Sequence, residues 1–207
     1  MTIIVAYTQK GDFKVTKRKI PDVLSKEEQK KLLDVFNTRY ISSHRNKVMI
    51  KLMLNSGLRL SELIHLSWKE VNLQTGRLKV VSGKGDKDRI LWINESTLDT
   101  LREWRNRQND KLGDIKLVFT TKSGKKIRPG DIRKMVYTYA KKAGIKDKQV
   151  SPHTFRHTFA TDLLRETKVL RLVQKALGHS NISTTQIYTH IVDEELEKAL
   201  REFKDDG

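Results

Sequence analysis

The sequence contains no cysteine, and this absence removes several kinds of chemistry. A disulfide framework, a cysteine-ligated zinc site and a thiol nucleophile are all excluded. Long apolar runs are missing too, since none approaches the ~20 residues that span a bilayer. The first residues, Met1 to Tyr7, lack the basic start and long apolar stretch of a secretory signal. These absences predict a cytoplasmic protein that is not inserted in a membrane.

Acidic residues are few relative to basic ones. The 207 residues include 42 Lys and Arg against 25 Asp and Glu, which gives a formal net charge of +17. This charge indicates a polyanionic partner, because basic side chains that neutralise phosphates release condensed counterions. A solvated lysine-rich surface is the alternative, but surfaces of that kind carry Lys and Glu in near balance. The basic residues are spread through the periodic segments, which favours a folded face that binds nucleic acid over a basic tail.

Hydrophobic residues make up only 37% of the chain, yet they recur at regular spacing. A capping box at Ser25 to Glu28 predicts the start of a first helix. The period changes to two over residues 77–81 and 89–93, which predicts a hairpin with Lys84 in its turn. Residues 117–119 are typical of a short buried strand. Further helices are predicted over 48–53, 59–68, 98–104 and 132–139, from Pro152 onward, and over 169–177.

The fold class expected from these elements is mainly α-helical with a small antiparallel β-sheet (α+β). Residues 1–21 are predicted to form an N-terminal extension or linker, and residues 22–207 one domain. Within this domain, a last helix over about residues 192–204 has one apolar stripe, formed by Val192, Leu196, Leu200 and Phe203. That stripe would either cover its own core or dock on another copy of the chain.

Three segments carry polar residues that core packing does not require. In Gly57-Leu58-Arg59-Leu60-Ser61-Glu62 an arginine opens an apolar helix, and Glu62 can orient it. In the segment from Ser151 to His157, His153 and Arg156 share a helix face near its N-terminus, where backbone N–H groups and a guanidinium both suit phosphate. The third segment runs from Leu177-Gly178-His179 to Tyr188-Thr189-His190.

Each segment alone has an ordinary structural explanation. Arg59 and Glu62 would be a solvated ion pair, the second segment a surface helix start, and the tyrosine a packing residue. His153 and His157 are four residues apart, but this helix lacks the glutamate of a zinc protease motif, so a metal site is not predicted.

Together the three segments supply what metal-free attack on a phosphodiester needs. Cations must neutralise the charge that develops on the phosphorane oxygens, and the leaving alkoxide needs a proton. A side-chain hydroxyl can serve as covalent nucleophile. The ordered set Gly-Leu-Arg-x-x-Glu, hairpin lysine, His-x-x-Arg-His, Leu-Gly-His and Tyr-Thr-His resembles the catalytic domain of the tyrosine recombinases (integrases), most closely their Xer group. The resemblance extends from about Leu24 onward.

The resemblance implies a role for each matching residue. Tyr188 would attack the scissile phosphate of double-stranded DNA, forming a 3′-phosphotyrosyl link and releasing a 5′-hydroxyl. Arg59 and Arg156 would hold the non-bridging oxygens, so that no metal or other cofactor is required. Lys84 would be the general acid for the 5′-oxygen.

The same resemblance assigns the remaining polar residues. His153 would assist proton transfer with Tyr188, and His179 would donate a hydrogen bond to a phosphate oxygen. Glu62 would fix Arg59, while His157 and His190 would be structural. The last helix would join neighbouring subunits in a tetramer on DNA.

The chain departs from the family pattern at its N-terminus. Most relatives place a separate DNA-binding domain before the catalytic domain, whereas only about twenty residues precede the capping box here. We therefore expect either a minimal recombinase or a piece of a longer protein. Two other functions remain open from the sequence: a relaxing enzyme similar to type IB topoisomerases, and a basic DNA-binding module without turnover.

Overall fold

The computed structural model describes residues 21–81, 88–178 and Tyr188. The order of elements within these ranges is α1 (Lys26–Asp34), α2 (Ile41–Ser56), α3 (Leu60–His65), β1 (Arg77–Val80), β2 (Arg89–Trp92), α4 (Glu95–Leu112), α5 (Pro129–Lys142), α6 (Pro152–Thr167) and α7 (Leu170–Leu177). The two strands pair in antiparallel fashion, with Arg77 opposite Trp92 and Val80 opposite Arg89. The prediction of a mainly helical fold with a small antiparallel sheet is confirmed.

Two helix starts follow the local signals that predicted them. At α1, the Ser25 hydroxyl accepts a hydrogen bond from the Glu28 N–H at 3.1 Å, and the Glu28 carboxylate accepts one from the Ser25 N–H at 2.7 Å. At α6, Ser151 is the N-cap and Pro152 the first helical residue, where its missing N–H costs no helical hydrogen bond.

The third helix is shorter than predicted, because neighbouring backbone groups pair elsewhere. It ends at His65, and a 3₁₀ turn at Trp68–Glu70 follows. The Val118 N–H donates to the Leu66 carbonyl and the Trp68 N–H to the Lys116 carbonyl, both at 2.9 Å. The predicted strand at residues 117–119 is correspondingly reduced to an isolated bridge between Ser67 and Leu117.

The main core surrounds α2, which packs against both α4 and α6. Its Met49, Ile50, Leu52 and Met53 are all 1% exposed or less. A second, smaller cluster joins α6 to α7 and includes Tyr188. The core therefore fixes α6 between α2 and α7. Within the described ranges, no helix combines the length and the apolar character needed to cross a membrane.

Candidate active site

The first part of the site is the turn between α2 and α3. Gly57 ends α2 with a left-handed backbone (φ +62°), and its N–H donates to the Met53 carbonyl. Arg59 is the N-cap of α3. Oε2 of Glu62 accepts the Arg59 backbone N–H at 2.7 Å, and the Arg59 guanidinium donates to Oε1 of Glu62 at 3.2 Å. Glu62 therefore contacts both the backbone and the side chain of Arg59.

The second part is the N-terminal half of α6, where a buried guanidinium is held by two backbone carbonyls. Arg156 is 7% exposed, and it donates to the carbonyl of Gly57 at 2.5 Å and to that of Leu177 at 2.7 Å. Burial, and after it the charge of Arg59, lowers the pKa of Arg156 to about 10, so its guanidinium stays charged at neutral pH.

Tyr188 forms the third part and lies beside the same helix. Its side chain is 2% exposed, and its hydroxyl lies 2.7 Å from Nδ1 of His157. Burial raises the pKa of the Tyr188 phenol well above its usual value, although the charge of Arg156 opposes that shift. Burial, with the nearby His153 and Arg156, lowers the pKa of His157, so a neutral imidazole faces the phenol.

From the family resemblance, His153 is expected to assist proton transfer with Tyr188 and His157 to be structural. The structure puts His157 in contact with the Tyr188 hydroxyl, while His153 is exposed. The two histidines are one helical turn apart on α6, and His157 is the more buried of them. The geometry thus differs from that expectation.

These three parts open onto one cleft of about 440 Å³. Two arginines, two histidines and the tyrosine contribute to its wall, and Arg133 reaches it from α5. The lining residues are Arg59, Leu60, Ser61, Ile64, Pro129, Arg133, His153, Arg156, His157 and Tyr188. A cleft that combines guanidinium groups with a phenol suits a phosphate ester.

Several predicted features lie outside the described residues. They are Lys84, His179, His190, the last helix at about 192–204, and all but the final residue of the extension at 1–21. Two of these residues are adjacent in sequence to described elements. Lys84 lies between the end of β1 at Val80 and the start of β2 at Arg89, and His179 follows Gly178 at the end of α7.

Two arginines of the site, Arg89 and Arg133, were not predicted from the sequence. Arg89 is the first residue of β2 and is 8% exposed, and Nη1 and Nη2 donate to the two carboxylate oxygens of Glu62 at 2.8 and 2.9 Å. The signal for Arg89 was the alternation of β2, where an arginine occupies an inward-facing position. Arg133 is an exposed residue of an amphipathic helix, and no pattern in the sequence distinguishes it from other surface arginines.

Glu62 is consequently shared between Arg59 and Arg89. Burial raises the pKa of Glu62, but hydrogen bonds and charge from Arg89, with the Arg59 N–H, outweigh it and lower that pKa overall. The carboxylate therefore stays ionised and is about as buried as Arg89 itself, both side chains being 7% exposed. In the described part of the chain, no three histidine or acidic side chains are grouped as a metal site would require.

Comparison with known proteins places this chain in a family. The model of the phage integrase family matches residues 22–195. Tyrosine recombinase XerD from Staphylococcus aureus strain Mu50 is 40% identical over 189 residues, which is 90% of this chain and 63% of the relative. XerD from Staphylococcus saprophyticus has the same identity and the same coverage. This chain thus spans 63% of the length of these curated relatives.

Two solved structures have a closely similar fold. A crystal structure of XerA recombinase matches with a TM-score of 0.77 and 33% identity, covering 92% of this chain and 68% of that one. XerH bound to its palindromic difH substrate, in a post-cleavage complex, matches with a TM-score of 0.75 and 30% identity, covering 90% of this chain and 54% of that one. With the family match over residues 22–195 and this likeness in sequence and fold, the chain belongs to the phage integrase family.

Proposed function

We propose that this chain cleaves and rejoins double-stranded DNA at specific sites, as the catalytic domain of a tyrosine recombinase. The observation that carries the proposal is the single cleft to which Arg59, Arg156 and Tyr188 all contribute. The names of the XerD relatives and the post-cleavage complex of XerH, a site-specific recombinase, with its difH substrate support this activity. The catalytic domain would occupy residues 22–207, with residues 1–21 as a linker, and would act in the cytoplasm.

The reaction is an exchange of one phosphate ester for another. The Tyr188 oxygen attacks the scissile phosphorus, the bond from phosphorus to the 5′-oxygen breaks, and a 3′-phosphotyrosyl link remains. His157 takes the phenolic proton, because its neutral Nδ1 lies 2.7 Å from the hydroxyl. Lys84, which lies between β1 and β2 in the sequence, gives a proton to the 5′-oxygen. Rejoining reverses these steps and needs no energy source.

The two arginines stabilise charge on the non-bridging oxygens. Arg59 is 29% exposed and reaches the cleft directly. Arg156 is held by two carbonyls and keeps its charge near neutral pH. Fixed guanidinium charges in a partly buried site supply stabilisation that a metal ion supplies elsewhere, so we propose no metal or other cofactor. His153 lines the same cleft, and we propose that it and His179 contact the phosphate.

Covalent trapping tests the function directly. A panel of nicked duplexes that lose the 5′-fragment after cleavage, including the palindromic difH duplex of the XerH complex, should give a denaturation-resistant protein–DNA adduct. The adduct should disappear in Tyr188→Phe, because that variant lacks the attacking oxygen. Tyr137→Phe is the matched control, since Tyr137 is a 53% exposed residue of α5 outside the cleft lining.

Two outcomes of this experiment are informative, and a separate assay on supercoiled plasmids tests the topoisomerase-like function. An adduct that persists in Tyr188→Phe would overturn the nucleophile, and no adduct with any duplex would favour a DNA-binding module. Relaxation of supercoiled DNA without strand exchange between two sites would favour the topoisomerase-like function.

We also propose that copies of the chain assemble on DNA as a tetramer through the helix at about 192–204. A groove of about 670 Å³ between β2, α6 and α7 offers a receiving surface. Its apolar lining includes Phe159, Leu163 and Leu172, and Trp92 at its edge is 70% exposed. These side chains match the apolar stripe of the last helix in chemical character.

A further inference from the structure

The buried guanidinium of Arg89 donates three hydrogen bonds. Nη1 and Nη2 donate to the two oxygens of Glu62, and Nε donates to the carbonyl of Ala176 at 2.8 Å. The first pair is the bidentate arrangement in which a guanidinium matches a carboxylate in shape as well as in charge. One side chain on β2 is therefore bonded to both α3 and α7.

One partner of Arg89 contacts a cleft arginine, and the other directly precedes a residue that does. Glu62 accepts from the backbone N–H and the guanidinium of Arg59. Ala176 adjoins Leu177, whose carbonyl accepts from Arg156 at 2.7 Å. Two arginines thus bind successive carbonyls at the C-terminal end of α7, where helix carbonyls lack partners and the helix dipole is negative.

Close packing restricts how far this end of α7 can shift. Gly178 has a left-handed backbone (φ +67°), and a Cβ added to it would lie 3.0 Å from Cδ and 3.2 Å from Nη1 of Arg89. The residue after Gly178 is His179, the histidine of the Leu-Gly-His motif. Arg89 does not line the cleft itself.

We propose that Arg89 is a positioning residue, which sets the spacing between Arg59 and Arg156 by holding Glu62 and the end of α7 together. The inference rests on the proposed function, since the spacing matters for a phosphate bound between the two guanidinium groups. A displacement of about 1 Å in a catalytic group is enough to lower a rate ~100-fold. Lysine cannot replace Arg89, because an ammonium group cannot make the bidentate contact with Glu62 and the bond to Ala176 together.

The test measures cleavage separately from binding. In the full chain, Arg89→Lys and Arg89→Gln should lower the rate constant for adduct formation from bound nicked duplex by ~100-fold. DNA affinity, measured by fluorescence anisotropy, should change by less than about threefold, because Arg89 has no place in the cleft. A substitution that merely damages the fold would weaken both.

Arg102 offers a matched control on α4. Its Nε donates to the Leu73 carbonyl at 2.9 Å, and Nη1 donates to Glu95 and Asp99, each at 2.6 Å. It therefore makes the same kinds of bonds as Arg89, away from the cleft. Arg102→Gln should leave the cleavage rate within about threefold of the unmodified chain.

A double-mutant cycle asks whether Arg89 acts through Glu62. Glu62→Gln combined with Arg89→Gln should cleave no more slowly than Glu62→Gln alone, because contacting residues in one network are not additive. The double variant also removes both buried charges, so it remains a test if Arg89→Gln fails to fold. Additive losses, or cleavage by Arg89→Gln at the unmodified rate, would overturn the proposal.

A measurement without DNA separates this proposal from the proposed function. Relaxation of the ¹⁵Nε–Hε groups of Arg59 and Arg156 should show greater mobility in Arg89→Lys and no change in Arg102→Gln. If the unmodified chain forms no adduct, the proposed function fails, but this measurement still tests the positioning role. Unchanged mobility of both arginines in Arg89→Lys would refute it.

Discussion

At the scale of single residues, four charged side chains lie close together at and behind the wall of the cleft. Arg59, Arg89 and Arg156 contribute three positive charges and Glu62 one negative charge, which leaves a net charge of +2 (3 − 1). The carboxylate offsets repulsion among guanidinium groups that would otherwise lie together with little solvent. Two of these arginines line the cleft, and the third is enclosed by Glu62 and α7. The arrangement leaves positive charge facing an incoming phosphate.

The contact between His157 and Tyr188 predicts the acid limb of the cleavage reaction. Because the pKa of His157 is lowered, its imidazole becomes protonated only below the usual histidine range. A protonated imidazole cannot accept the phenolic proton, so cleavage should rise with pH through that region and then level off. His157→Gln should flatten this limb and lower the rate by about 100-fold or more. Single-turnover adduct formation measured across pH checks both effects.

His153→Gln is the comparison that decides between the two histidines. It should slow cleavage without removing the acid limb, because His153 is exposed and does not contact the Tyr188 hydroxyl. An acid limb that vanishes in His153→Gln and survives in His157→Gln would instead make His153 the proton acceptor, as the sequence pattern suggested.

Motifs in the sequence identified residues that line the cleft but not all of those that hold them in place. Arg59, His153, Arg156 and Tyr188 belong to short segments with recognisable spacing, and all four line the cleft. Arg89 is not predictable in this way. Its partners are 27 and 87 residues away in the chain, so the network exists only after folding.

At the scale of helices and strands, the site depends on close approach between the end of α2 and the α6–α7 pair. A Cβ on Gly57 would lie 2.4 Å from Cδ1 of Phe159 and 3.2 Å from Cδ2 of Leu177. The Gly57 carbonyl also accepts from Arg156, so the same turn that lets the helices approach supplies a ligand to the guanidinium.

Gly57→Ala should therefore destabilise the fold by about 2–5 kcal/mol, the sum of a left-handed backbone cost and overpacking. Gly144→Ala isolates the first cost, because Gly144 has φ +76° with no atom within 4 Å of an added Cβ. That control should lose only ~1–2 kcal/mol. Urea unfolding of both variants measures the difference. Equal losses of stability in the two variants would show that contact with Phe159 and Leu177 adds no cost to a side chain at position 57.

Helix starts were predictable and one helix end was not, for a physical reason. Caps such as Ser25 and Ser151 act within four residues, so the signal is local. The early end of α3 at His65 depends on hydrogen bonds between residues 66–68 and the segment at 116–118, far along the chain. Apolar spacing alone continued the helix to Trp68, because it contains no information about those distant partners.

At the scale of the whole molecule, the net charge and the exposed apolar surface suit different kinds of partner. In the proposed function, the net charge of +17 attracts DNA at long range, and salt weakens that attraction. The groove beside β2 is instead suited to contact with protein. Ile90, Trp92 and Leu172 are exposed there at 41%, 70% and 45%. Exposed apolar side chains grouped on one surface are the usual mark of an interface rather than of a solvated face.

Assembly on DNA should therefore depend on the stripe of the last helix and not on its opposite side. Leu196→Ser combined with Leu200→Ser removes two apolar stripe residues, while Lys198→Ser changes a residue two positions along, on the other face by helical spacing. Mass photometry on a two-site duplex should show fewer tetramers for the stripe variant and an unchanged distribution for Lys198→Ser. Circular dichroism should show both folded, because the described residues around α2 already form a continuous buried core. If the stripe variant assembles as well as the unmodified chain, the helix does not join the subunits, and the exposed groove must serve another partner.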